Sequence, residues 1–184
     1  MQEGSKRQGT MPKSGMAAKR VALGGLLTAL MLVLGYIESQ IPVGVGIPGI
    51  KLGLSNAVLI YGVYLLTPCT TVSLMVLKVV LSALLFGSPF ALAFSLAGGV
   101  CSLLGMLLMR RYTSFGILAT SVVGALLHNT GQVTVAALIG GNASIFYYMT
   151  VLALAGIGTG VVTGIVAGLV LRSGIGKAFA TISK

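Results

Sequence analysis

The sequence predicts an all-α integral membrane protein, a bundle of six transmembrane helices, and three observations carry this prediction. Hydrophobic residues make up 56% of the 184 residues and charged residues only 8%, whereas soluble domains usually carry about 25% charged residues. The apolar residues form successive runs of roughly 20 residues, the length that crosses a hydrocarbon core of about 30 Å. The cations behind the formal charge of +10 cluster at the ends of these runs. Cations placed in this way orient a membrane protein, so we expect no nucleic-acid partner.

Each of the six apolar spans is closed by charged residues, glycine or proline. The second span is the shortest and stops before Pro68, because proline disfavours the helical conformation in the residue that precedes it. It is short enough to be tilted or broken. The spans are expected at about 21–37, 52–66, 70–86, 90–109, 115–139 and 144–171.

Polar segments flank the membrane domain. We expect residues 1–16 to be a disordered tail, residues 17–175 to form the transmembrane domain and residues 176–184 to form a second tail. Six spans place both tails on the same side of the membrane. Both tails and the connection at Arg110 and Arg111 carry the cations, and the positive-inside rule makes that side the cytoplasm.

Lys78 lies in the middle of the third span, where a lysine costs roughly 2.5–3.5 kcal/mol on insertion scales. Ser82 follows one turn later on the same helix face. Lys78 could line a cavity inside the bundle, or it could be structural, bonded to backbone carbonyls or snorkelling along the helix. Its mid-span position makes snorkelling difficult and favours the cavity.

A second polar group lies in the fifth span and consists of His128, Asn129 and Gln132. On a helix these three side chains fall within one arc of about 100°. Polar side chains that converge in hydrocarbon line a cavity or hydrogen-bond neighbouring helices together. We favour the cavity, because three such residues share one face.

The segment between Glu38 and Lys51 is rich in proline and glycine and cannot lie exposed in lipid. It is either a plain connector with both charges solvated or a lid that folds over an opening in the bundle. Its length and composition favour the lid. Asn56 follows just inside the second span, and Lys51 is the one cation that breaks the charge pattern.

Small residues recur at four-residue spacing in two spans. Gly156, Gly160, Gly164 and Gly168 form a ladder in the sixth span, and small residues at this spacing let helices approach closely. Gly25 and Ala29 form a shorter pair in the first span, either for packing or as a docking surface for another membrane protein.

Autonomous catalysis is not expected. The chain contains no Asp, and Glu3 and Glu38 are its only acidic residues. Prenyl diphosphate synthases hold magnesium with aspartate-rich motifs, because the metal requires oxygen ligands. The sequence also lacks a Walker-type phosphate loop. Cys69 and Cys101 have no metal-ligand or redox spacing, so we expect no metal, cofactor or catalytic residue.

Three segments resemble a bacterial membrane family labelled heptaprenyl diphosphate synthase component I, also called Gx transporters. They are Glu-Ser-Gln-Ile-Pro…Ile-Pro-Gly-Ile-Lys-Leu-Gly-Leu-Ser-Asn at 38–56, Phe-Ser-Leu-Ala-Gly-Gly-Val-Cys-Ser at 94–102 and Ser-Val-Val-Gly-Ala-Leu-Leu-His-Asn-Thr-Gly-Gln at 121–132. The resemblance covers about 19–171. That family is similar in architecture to the S components of energy-coupling-factor (ECF) vitamin transporters. Those are six-helix proteins that capture a nutrient beneath a lid and rely on a coupling protein and two ATPases.

The resemblance implies an S-component-like bundle in the bacterial plasma membrane and leaves two functions open. The favoured one is the substrate-binding component of an ECF-type uptake transporter for a small polar, anionic or amphiphilic nutrient or cofactor precursor. The alternative is a non-catalytic subunit of a heptaprenyl diphosphate synthase. The substrate-binding residues would be Glu38, Lys51, Asn56, Lys78, His128, Asn129 and Gln132. The residues that dock a coupling protein would be Ala18, Ala22, Gly25 and Ala29, approximate counterparts of an Ala-x-x-x-Ala motif on the first helix of S components.

Overall fold

The computed structural model describes residues 13–40 and 54–173, and every regular element in these two ranges is helical. The elements are α1 (Lys13–Ser39), α2 (Asn56–Leu65), α3 (Pro68–Phe86), α4 (Pro89–Tyr112), α5 (Ile117–Gly140), a 3-10 helix (Ala143–Tyr148) and α6 (Met149–Arg172). The predicted all-α class is confirmed. Most of both predicted tails lies outside the described residues, and α1 begins at Lys13, ahead of the apolar run.

Five helical segments of the described chain are long and apolar enough to cross a membrane. They are Ala18–Ser39, Pro68–Leu85, Pro89–Tyr112, Ile117–Gly140 and Ser144–Arg172. The protein is therefore a multi-pass membrane protein, as predicted. The helix α2 is shorter than the expected span 52–66, since it has 10 residues and a rise of 1.5 Å per residue makes it only about 15 Å long.

Local sequence signals set the starts of α3 and α4. Pro68 and Pro89 each occupy the first turn, where the missing N–H would have no helical partner in any case. The side chains of Thr67 and Ser88 cap the two helices by accepting hydrogen bonds from backbone N–H groups, at 3.3 Å and 3.2 Å respectively. Both helices therefore begin one or two residues before the apolar runs that predicted them.

Short connections make successive helices from α2 to α6 antiparallel. Arg20, near the start of α1, lines one pocket with Leu66 and Thr67 at the end of α2, so the described bundle has two distinct ends. We call the end where α4 and α6 finish, at Arg110, Arg111 and Arg172, the arginine end. The helices α3 and α5 begin at this end. The opposite end, where α1 and α5 finish and α2 begins, is the distal end.

Glycines bring α5 very close to its two neighbours. A Cβ atom added at Gly131 would lie 2.7 Å from the carbonyl oxygen of Ala97 in α4. A Cβ added at Gly160 would lie 2.7 Å from Cα of Val122. These distances leave no room for a side chain, so the helices meet backbone to backbone.

The glycine ladder of α6 is only partly used for this packing. A Cβ at Gly156, Gly160 or Gly164 would meet α5 at 3.0 Å or less, but a Cβ at Gly168 would meet nothing within 4 Å. The prediction that all four glycines pack against a neighbouring helix is therefore wrong for Gly168, which lines an open groove instead.

Candidate functional site

Six of the seven residues predicted to bind substrate lie in the described part of the chain, and each is more than nine-tenths buried. They are Glu38, Asn56, Lys78, His128, Asn129 and Gln132. The seventh, Lys51, lies outside the described residues. Burying polar groups in so apolar a chain is costly unless they find partners, so this concentration of buried polar groups marks the candidate site.

Lys78 faces the interior of the bundle. The buried residues of α3 recur with the helical period and form one stripe, which runs Thr71, Leu74, Met75, Lys78, Val79 and Ser82. The neighbouring Leu77 and Val80 are exposed and form the lipid-facing side. Lys78 is only 7% exposed, so its ammonium group does not point toward the lipid.

The polar arc of α5 rests on α4 at a glycine. A Cβ added at Gly98 would lie 2.9 Å from Cε1 and Nδ1 of His128, and equally 2.9 Å from Cγ of Gln132. The missing side chain at Gly98 is therefore what lets the imidazole and the amide side chain enter the bundle between α4 and α5. A larger residue there would displace both.

Asn129 links α5 to α6. Its Nδ2 donates a hydrogen bond of 2.7 Å to the carbonyl oxygen of Leu152, and Gly156 leaves room for this amide, since a Cβ there would lie 2.8 Å from Nδ2. Asn129 thus takes the helix-linking role that the sequence left as the alternative to cavity lining. Its Oδ1 is buried without a hydrogen-bond partner among the described residues.

Lys78 and Gln132 lie at nearly the same depth in the bundle. The thioether of Met75 packs on α4 at Gly99, where a Cβ would lie 3.0 Å from its Sδ. Gly99 follows directly after Gly98, the glycine that contacts Gln132. Lys78 follows Met75 by about one helical turn toward the distal end. The third and fifth spans therefore bring their polar residues to one level.

Asn56 reaches this level from α2. Gly62 packs on Thr71 of α3, where a Cβ would lie 3.0 Å from Cγ2 of the threonine. Asn56 lies six residues before Gly62 and Lys78 lies seven residues after Thr71, so both lie on the distal side of this contact. At a rise of 1.5 Å per residue they are about 9 Å and 10.5 Å from it, which is nearly the same depth. We call Asn56, Lys78, His128, Asn129 and Gln132 the polar layer.

Besides Asn129, two further residues have buried polar atoms without hydrogen-bond partners. Both amide atoms of Asn56 and the Oγ of Ser102 are buried and have no hydrogen-bond partner among the described residues. A buried polar group without a partner costs about 1–3 kcal/mol. These atoms therefore have unused hydrogen-bonding capacity.

Three residues of α4 were not identified from the sequence as part of the candidate site. Ser95, Gly98 and Ser102 are all buried. They recur at spacings of three and four residues and so form one small, polar stripe on a single face of the helix. The spacing of these residues was visible in the sequence of the fourth span. The stripe contains no charged or bulky polar residue, however, so it was not selected from the sequence.

Glu38 lies apart from these residues along the chain, in the last turn of α1 at the distal end, and is 2% exposed. It is the only carboxylate in the described residues. Those residues include no group of three His, Cys, Asp or Glu side chains that could hold a metal ion. Of the two free cysteines, Cys69 is exposed and Cys101 is partly buried.

The residues predicted to dock a partner lie on the outer surface of α1. Ala18, Ala22, Gly25 and Ala29 are all exposed, and their spacing puts them within an arc of about 60° on one helix face. A Cβ at Gly25 would meet nothing within 4 Å. The first-span pair therefore does not pack against another helix of the described residues.

Comparison with known proteins gives one match. The model of the family described as heptaprenyl diphosphate synthase component I matches residues 27–170, a range that includes the polar layer. The chain therefore belongs to this family. No curated protein matches the sequence, and no solved structure matches it.

Proposed function

We propose, with this family membership as the premise, that the protein is a non-catalytic membrane subunit that works beside a separate prenyl diphosphate synthase subunit. The match over residues 27–170 carries the proposal. The chain contains no Asp, so the carboxylates that bind magnesium diphosphate must come from the partner. The membrane subunit would hold the partner, its product or both at the bilayer, where long isoprenoid chains partition.

Chain-elongation assays with purified subunits test this proposal. The protein alone should not condense prenyl diphosphates, whereas adding it to the aspartate-rich synthase of the same bacterium should change the rate or the product length. Elongation by the protein alone would contradict the non-catalytic role. A partner that neither co-purifies with the protein nor responds to it would contradict the subunit role.

A second candidate function is the substrate-binding component of an ECF-type uptake transporter. The buried polar layer favours it, since Asn56 offers two amide atoms without partners and Lys78 offers a cation inside the bundle. The exposed small-residue stripe on α1 would suit a transmembrane coupling protein, which would bring two ATPases. The substrate would be small and polar, anionic or amphiphilic.

Mass spectrometry of the small molecule that co-purifies in mild detergent separates the two candidates. A water-soluble nutrient or cofactor precursor, together with co-purifying ATPases, would favour transport. An isoprenoid together with a synthase would favour the biosynthetic subunit.

We further propose that the protein lies in the bacterial plasma membrane with both termini in the cytoplasm, on the basis of the cation pattern. Single cysteines at positions 44 and 142, in a chain without Cys69 and Cys101, should react with an impermeant thiol reagent in intact cells. Reaction at position 111 instead would contradict this orientation.

A further inference from the structure

A groove of about 520 Å³ opens at the arginine end, between the end of α2, the start of α5 and the end of α6. Its apolar wall includes Phe115, Leu118, Ile165 and Leu169, all strongly exposed. Its volume lies within the range of about 300–1,000 Å³ that small-molecule sites occupy. The groove thus opens toward the hydrocarbon and offers a channel for an apolar chain.

Glycines create this groove. Gly116 and Gly168 line it, and a Cβ at either position would meet nothing within 4 Å. The space around each Cβ position is therefore open, and a larger side chain at Gly168 would extend into the groove.

One end of the groove is cationic and includes a hydrogen-bonded tyrosine. Arg172 is its only charged lining residue. Tyr64 lines it too, with its hydroxyl 3.0 Å from the hydroxyl of Thr120, and the guanidinium of Arg110 lies 5.5 Å from the centre of the Tyr64 ring. Two guanidinium groups are thus associated with one end of an apolar channel.

No carboxylate of the described chain can neutralise these cations. The chain has 12 Lys and Arg residues against 2 acidic residues. The acidic residue that the structure describes, Glu38, is buried at the distal end. Among the described residues, therefore, no carboxylate lies at the arginine end, and guanidinium groups match phosphate oxygens in geometry and charge.

We propose that this groove is a binding site for an anionic phospholipid. Its phosphate lies at Arg172, with Arg110 reinforcing the positive potential, and one acyl chain lies along the wall formed by α5 and α6. Basic pockets between transmembrane helices are known to select anionic head groups in this way. The site is distinct from the polar layer, since it involves neither Lys78 nor the α5 arc.

Native mass spectrometry of the full chain in mild detergent tests the proposal. The probes are phosphatidylglycerol and phosphatidylcholine with identical acyl chains. The wild-type protein should retain phosphatidylglycerol preferentially, and Arg172→Gln should weaken retention about fivefold, the effect of one cation near a lipid head group. Gly168→Leu should abolish retention by filling the groove, while the thermal midpoint measured without lipid does not fall, since leucine favours the helix over glycine.

Arg111→Gln is the matched control, because Arg111 lies at the same end, stacks on Tyr112 at 5.9 Å and does not line the groove. This variant should retain phosphatidylglycerol as the wild type does. Equal losses for Arg111→Gln and Arg172→Gln, or full retention by Gly168→Leu, would overturn the proposal. Preferential retention of a prenyl diphosphate such as farnesyl diphosphate over phosphatidylglycerol would also overturn it.

Discussion

The α4–α5–α6 half of the bundle is packed differently from the α1–α3 half. Glycines at Gly131 and Gly160 bring the backbones of α4, α5 and α6 into contact. By contrast, α1 meets α3 through side chains. For example, a Cβ added at Gly24 would lie 3.8 Å from Cδ2 of Leu74, an ordinary van der Waals contact. Helices in backbone contact cannot adjust, whereas side chains in contact can repack. The α4–α5–α6 half is therefore the more rigid part of the bundle.

This difference divides the polar layer. His128, Asn129 and Gln132 lie in the more rigid half, seated on glycines of α4 and α6. Lys78 and Asn56 reach the same level from helices that pack through side chains. The following substitutions test whether the two groups of helices respond differently to a change in packing.

The largest effect is expected for Gly160→Ala. Its Cβ would lie 2.7 Å from the Cα of Val122, and a backbone atom cannot move aside, so overpacking should lower the free energy of unfolding by about 2–3 kcal/mol. Thermal unfolding in detergent measures this effect. The matched control is Gly25→Ala, where a Cβ meets nothing, and helix propensity should there raise stability by up to about 1 kcal/mol. Equal responses at the two positions would contradict the proposed contrast in packing.

The next effect is expected for Asn129→Ala, which removes the 2.7 Å bond to the carbonyl of Leu152. A hydrogen bond of this kind contributes a net 0.5–1.5 kcal/mol, so the free energy of unfolding should fall by about 1 kcal/mol. The thermal midpoint reports this loss. Thr134→Ala serves as the control, because its hydroxyl bonds only within its own helix, to the carbonyl of Thr130. An unchanged midpoint for Asn129→Ala would show that the bond does not hold α5 to α6.

A comparable loss of stability is expected for Gly98→Ala. The new Cβ would lie 2.9 Å from side-chain atoms of His128 and Gln132. Side chains can shift where backbone cannot, so the cost should stay at about 1 kcal/mol. Affinity for the co-purifying molecule should fall further than stability does, because the arc is displaced. Unchanged affinity with an altered thermal midpoint would restrict the arc to a packing role.

The smallest effect on folding is expected for Lys78→Met. Methionine fills a similar volume and removes the cost of a buried charge, but it also removes the interaction that Lys78 makes inside the protein. These two effects oppose each other, so the thermal midpoint should change little. Ligand affinity should fall if Lys78 binds substrate, and Val80→Met on the exposed side of α3 is the control. A fall in the midpoint together with normal binding would make Lys78 a structural residue.

Much of the fold was predictable because hydrocarbon imposes strict rules. An apolar run must form a helix to satisfy its backbone, and a polar side chain in such a run must turn inward. These rules place Lys78 and the α5 arc inside the bundle, and both are buried there. The start of α2 was predicted too early, at residue 52, because the expected span followed the apolar residues and gave no weight to Ser55, the N-cap residue of a helix that begins at Asn56.

The sequence by itself determined the membrane class, the approximate positions of the helices and the inward direction of the polar residues, because each depends on composition and local period. Only the tertiary structure decided that Asn129 bonds α6, that Gly98 seats His128 and that Asn56 reaches the depth of Lys78. These facts depend on the register between helices. Close approaches between glycines and residues about 10–40 positions away fix that register, and no periodic pattern within a single span encodes it.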